Sequence, residues 1–200
     1  LLIFFRIEQL YSFSKYKGLR YLSSAFLFFA IGFILRYIVM LLKIFRGSIT
    51  TINSFNLLTI LMEFFLVVAG LLIIYSMVWK QFETSKYTKN KAQFILYFIA
   101  LIISLVDYSV QGFYIMYVSQ ILLFSAGSII SMRKYKKRPN NFQQLYFIAM
   151  VLFSIVWIIN LLAQLFIDIL PVLRLYNYLF TVSAIFIFLY LILRLTREFR

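Results

Sequence analysis

Residues 15–42 read KYKGLRYLSSAFLFFAIGFILRYIVMLL, a cluster of cations followed by a long apolar run. A run of about 20 mostly apolar residues is what an α-helix needs to cross the hydrocarbon core of a bilayer. The pattern repeats along the chain. Residues 6–20 carry Arg6, Lys15, Lys17 and Arg20; residues 43–56 carry Lys43 and Arg46; residues 80–93 carry Lys80, Lys86, Lys89 and Lys91. Residues 107–112 carry no cation, whereas 133–144 carry Arg133, Lys134, Lys136, Lys137 and Arg138. Residues 168–174 carry only Arg174, and the tail carries Arg194, Arg197 and Arg200. Cation-rich connections alternating with cation-poor ones mark a polytopic membrane protein whose basic loops stay in the cytoplasm.

Composition agrees. The chain is 64% hydrophobic and 13% charged with a mean hydropathy of +0.95, whereas a soluble domain is about half apolar and a quarter charged. The formal charge of +14 is divided among short gaps. Nucleic-acid binding would need those cations gathered on one exposed face, so no nucleic-acid partner is expected. The expected partner is a bilayer whose anionic headgroups meet the cytoplasmic loops. Cysteine and histidine are absent. That excludes disulfides, Cys/His metal sites, thiol chemistry and a histidine-based triad. No cofactor or metal is implied. Richness in Lys, Asn, Ile, Phe and Tyr points to an AT-rich prokaryotic genome, and hence to the cytoplasmic membrane of a prokaryote.

The predicted fold class is all-α: one transmembrane helical domain over 1–200, a polytopic bundle with six complete spans. The spans fall at about 21–42, 57–79, 92–107, 112–132, 145–167 and 173–194. LLIFF at 1–5 reads as the end of a first span that begins upstream, giving seven spans in the full protein, N-out and C-in. Helices are expected because each run is long and continuous, and an α-helix satisfies its own backbone polar groups in lipid. Residues 6–20, 80–93, 133–144 and the C-terminus then face the cytoplasm, and 46–56, 108–111 and 168–172 face outside. The span at 92–107 is the shortest: its apolar core, FILYFIALIISLV, has 13 residues. Lys91 can extend it by snorkelling and Tyr108 by anchoring at the interface.

Polar side chains within spans are costly in lipid and are candidate functional groups by default. With ~1.5 Å of rise per residue, Arg36 lies ~10 Å below the outer end of its helix and Glu63 ~9 Å below the same end of the next. Matched depth on adjacent antiparallel helices predicts an intramembrane ion pair, Arg36 with Glu63. Gln120 lies about two turns inward from the 107–112 turn. Asn160, Gln164 and Asp168 share one helix face at i, i+4, i+8, and Arg174, Asn177 and Thr181 share another at i, i+3, i+7. The candidate ligand-binding set is Arg36, Glu63, Gln120, Asn160, Gln164 and Asn177. The inner halves of the spans are close to uniformly apolar. Each candidate also has a purely structural role open to it: Arg36–Glu63 as a register pair, Asn160 and Gln164 as interhelical hydrogen bonds, and Asp107, Asp168 and Arg174 as interfacial residues.

Three segments carry a resemblance to a known family: the basic KYKGLRYL at 15–22, AFLFFAIGFILRYI at 25–38, and the cationic exit LRLTREFR at 193–200. The layout resembles prokaryotic seven-helix sensory membrane domains, the type associated with histidine kinases. The resemblance implies sensing of an external or membrane-embedded signal, with helix movement passed to a cytoplasmic signalling module, C-terminal or separate. This chain departs from the kinase-linked pattern in carrying no catalytic domain within its 200 residues.

The expected function is therefore a sensor or receptor-like domain with an outward-facing polar pocket. A small-solute transporter or permease subunit is the first alternative. It would need a midplane site with access from both sides. A non-catalytic scaffold or assembly subunit is the second. No enzyme is expected: Glu63 has no second carboxylate at reaction distance in a recognisable motif. The last helix also lacks the lysine a retinal pump would require.

Overall fold

The computed structural model describes residues 1–45, 52–83, 91–110, 113–137, 141–166, 182–183, 185–190 and 192–194. Its elements are all helices: α1 (Leu2–Ser14), α2 (Lys17–Phe45), α3 (Ile52–Glu83), α4 (Lys91–Val110), α5 (Tyr114–Lys137) and α6 (Asn141–Leu165). Residues 185–190 and 192–194 are also helical. Among the described residues, five helices, α2 to α6, are long and apolar enough to cross a membrane. Half of the expected sixth span at 173–194, including Asn177, lies outside the described residues.

The helical reading of 92–107 agrees with the structure, where the helix covers Lys91–Val110. Twenty residues at ~1.5 Å each give ~30 Å, the thickness of a hydrocarbon core. Its sequence also explains how it packs. Ala100, Ser104 and Asp107, at i, i+4, i+7, are its buried residues. Phe94, Ile95, Phe98, Leu101, Ile102, Leu105 and Val106 are exposed. A narrow stripe of small or short residues lets the helix approach its neighbours, and the rest is an apolar surface of the kind that faces lipid.

The start of the chain differs from expectation. Residues 6–14 are not part of a loop; α1 runs unbroken from Leu2 to Ser14. Ile3, Ile7 and Leu10 form its buried stripe, and α1 packs on α2. The stripe crosses the cation at Arg6, which points away and donates to Gln9 Oε1 at 3.0 Å. Lys15 closes the helix in the left-handed conformation (φ 49°), its N–H donating to the Tyr11 carbonyl at 2.7 Å. The chain reverses there and enters α2 at Lys17. Ser23 on α2 donates to Glu8 Oε2 of α1 at 3.0 Å, tying the pair together.

Helix α3 is the centre of the bundle, in contact with α2, α4 and α5. Leu66, Val67, Val68, Ala69, Leu72 and Ile73 are all fully buried or nearly so. Close approach to α2 depends on Gly32, where a Cβ would fall 2.8 Å from Leu66 Cδ2. Helix α5 packs on α6 as well as on α3. Between α2, α5 and α6 lies a stack of rings: Phe29 sits 6.0 Å from Phe153 and 6.2 Å from Phe124, and Phe124 sits 5.1 Å from Phe153. Phe188 joins it, 5.2 Å from Phe26 and 5.3 Å from Phe153. The C-terminal helical residues therefore dock against α2 and α6. Aromatic pairs of this kind contribute about 0.5–1.5 kcal/mol beyond their buried area.

Candidate functional site

The alternation of helices gathers polar residues at one end of the bundle. Arg36 comes from the second half of α2, Glu63 from the first half of α3, Asp107 from the end of α4, Tyr117 and Gln120 from the start of α5, and Asn160 from late α6. Glu63, Asp107, Gln120 and Asn160 are each buried. Tyr117 lies within electrostatic reach of Arg36, Asp107 and Glu63, and Glu63 within reach of Asp107.

Arg36 donates from Nη2 to Asn160 Oδ1 at 3.0 Å, not to Glu63. The register explains the difference from the expected ion pair. Gly32 of α2 faces Leu66 of α3. Four residues on, the antiparallel pair brings Arg36 level with Met62, a buried apolar residue. Glu63 is the next residue and is rotated ~100° about the α3 axis, toward Asp107 and Tyr117. Depth was matched; azimuth was not. Asn160 is held in turn by its own helix, Nδ2 donating to the Val156 carbonyl at 3.0 Å.

Asp107 is a helix cap rather than an interfacial residue. Its two carboxylate oxygens accept from the backbone N–H groups of Ile115 (2.9 Å) and Met116 (3.0 Å). These are second- and third-position amides of α5, which the helix itself leaves unsatisfied. A negative group there also meets the positive end of the α5 dipole. Phe113, the residue before α5, has φ 56°.

Gln120 joins α5 to α3, Nε2 donating to the Leu66 carbonyl at 3.0 Å. Gly70, one turn along α3, makes room: a Cβ there would fall 2.5 Å from Gln120 Oε1. Gln164 is half-buried on α6, one turn beyond Asn160. The structure thus brings together Arg36, Glu63, Gln120 and Asn160 of the expected set.

Among the described residues, three buried polar atoms in this half have no hydrogen-bond partner: Glu63 Oε2, Gln120 Oε1 and Trp157 Nε1. Each such atom costs about 1–3 kcal/mol when left without a partner. Trp157 lies one turn before Asn160, its ring 6.0 Å from that of Tyr117. Tyr117 and Trp157 do not stand out in the sequence, because aromatic residues are abundant throughout the chain. The available signal was spacing: Tyr117 precedes Gln120 by three residues, and Trp157 precedes Asn160 by three.

No protein-family model matches the chain, and no curated protein and no solved structure matches it.

Proposed function

We propose that this chain is the multi-pass membrane portion of a sensor or receptor-like protein in a prokaryotic cytoplasmic membrane, with the Arg36–Glu63–Asn160 end facing outward. The observation that carries the reading is Glu63: a fully buried carboxyl with Oε2 unpartnered, among residues from four other helices. In an apolar setting such a group is costly unless a donor meets it. A small polar ligand bearing an amine or another donor would supply that contact. Gln120 Oε1 and Trp157 Nε1 offer one further acceptor and one further donor.

The mechanism is a shift between two packings of the bundle. A ligand that bridges α3, α5 and α6 binds better to whichever packing brings those groups closest, and populates it. The C-terminal helical residues rest on α2 and α6 through Phe188, so a change in α2–α6 spacing reaches them. They would carry it toward a cytoplasmic signalling module.

The test is a thermal-shift screen of the purified protein with primary amines and amino acids, followed by flux measurement in proteoliposomes. The reading predicts a compound that raises the wild-type melting temperature, does so less for Glu63→Gln, and is not carried across the membrane. Carriage of that compound above the rate of empty liposomes would make the chain a transporter instead. Absence of any Glu63-dependent shift would remove the ligand site.

A further inference from the structure

A second site lies at the opposite end of the bundle, independent of the first. The basic segments preceding α2, ending α3 and ending α5 converge there on a cavity of ≈ 270 Å³. Its wall includes Tyr16, Ser76, Ser131, Lys134, Gln143 and Tyr146, and its apolar part includes Leu19, Leu22 and Met77. No Asp or Glu is among the described lining residues.

The three lysines are exposed, and contacts with neighbouring groups draw them together. Lys134 donates from Nζ to the Met77 carbonyl at 2.8 Å, across from α5 to α3. The Lys80 ammonium lies 5.4 Å from the Tyr16 ring, and those of Lys17 and Lys80 each lie 5.9 Å from the Trp79 ring. Tyr16 and Trp79 pack edge to face at 5.5 Å. Lys80 and Lys134 are close enough to repel one another. The first turn of α2 adds its positive dipole end, since Gly18 lines the same cavity. Trp79 Nε1 is buried and unpartnered beside Gly18. Like charges brought together by packing, with no carboxylate in the lining, are stabilised by a bound anion.

We infer that this cavity binds a phosphate-bearing anion, with Lys134 in its wall and Lys80 and Lys17 at its rim as the cationic contacts. The apolar residues below the cations suit an amphiphile, so the favoured source is the headgroup of an anionic phospholipid; a soluble phosphate is the other. The inference concerns none of the residues of the Glu63 site and stands or falls separately from the ligand proposed there.

Native mass spectrometry of the purified full chain in detergent tests it, with phosphatidylglycerol, phosphatidylcholine and inorganic phosphate as three separate probes. The expected result is one retained phosphatidylglycerol in preference to phosphatidylcholine. Each lysine should contribute about fivefold, the equivalent of about 1 kcal/mol per cation near an anionic surface. Lys80→Gln with Lys134→Gln should abolish the preference, and Lys80→Arg with Lys134→Arg should keep it. Lys136→Gln, on the same helix but outside the cavity, should leave it unchanged. Retention of inorganic phosphate that Lys80→Gln with Lys134→Gln removes would identify the soluble source. Equal retention of both lipids with no phosphate bound would overturn the proposal. So would a phosphatidylglycerol preference that survives the double glutamine substitution. If that variant does not fold, Lys17→Gln and the arginine pair decide: unchanged binding in Lys17→Gln together with loss in the arginine pair contradicts the site.

Discussion

Arg36 on α2 and Asn160 on α6 are joined by a 3.0 Å hydrogen bond although 124 residues separate them. Within the described residues, no Cα atoms of these two helices come within 8 Å of each other. The bond therefore spans a gap otherwise filled by rings, chiefly Phe29, Phe124 and Phe153. Asn160→Leu should destabilise the bundle by about 1–2 kcal/mol, since the half-buried Arg36 guanidinium loses its Asn160 acceptor. Arg36→Met combined with Asn160→Leu should recover part of that loss. Unfolding midpoints of the detergent-solubilised variants would show it. Equal midpoints for Asn160→Leu and wild type would mean that the bond carries no weight.

Asp107→Ala should cost about 1–2 kcal/mol, because two amides at the start of α5 lose their acceptor. Hydrogen exchange locates the effect: the Ile115 and Met116 amides should lose protection while the centre of α5 keeps it. Asp107→Asn should restore part of the stability. Uniform loss of protection along α5 would contradict a capping role.

Gly70→Ala should destabilise by about 1–3 kcal/mol, the range for overpacking a filled site. The new methyl meets Gln120 Oε1 and forces the side chain off the Leu66 carbonyl. Gln120→Ala should remove most of the additional cost, so the double mutant should be less destabilised than the sum of the two singles. Strict additivity would show that the two residues do not meet.

Lys15→Gly should stabilise by about 1 kcal/mol. Lys15 ends α1 in the left-handed region, where a side chain is disfavoured by roughly 1–2 kcal/mol and glycine is not. The thermal midpoint should rise. A fall would mean that the lysine side chain has a role that outweighs the backbone.

Much of this architecture is legible in the sequence, and the exceptions have physical causes. Apolar run length located α2 to α6 because backbone satisfaction in lipid leaves a helix little alternative. Depth is also legible, since rise per residue is fixed; it placed Arg36, Glu63, Gln120 and Asn160 toward one end. Rotation about each helix axis is not, because it is set by packing contacts such as Gly32 against Leu66. Depth alone therefore matches Arg36 to Glu63, whereas packing sets it on Asn160. Helix α1 is not legible as a helix because the cations at 6–20 weigh against a span, while the short stripe of Ile3, Ile7 and Leu10 is satisfied by packing on α2 alone. The lysine-rimmed cavity is not legible in the sequence because the cations around it belong to three separate segments, and only the fold brings Lys17, Lys80 and Lys134 to one end.

An outward-facing sensor site requires the buried polar cluster to face the outside and the lysine cavity to face the cytoplasm. The chain contains no cysteine, so a single introduced one reports without background. Ser109 near the polar end and Lys136 near the lysine end are both exposed. Labelling with a membrane-impermeant maleimide in intact cells should modify Ser109→Cys at once and Lys136→Cys only after permeabilisation. The reverse pattern would invert the bundle and contradict an outward-facing sensor site.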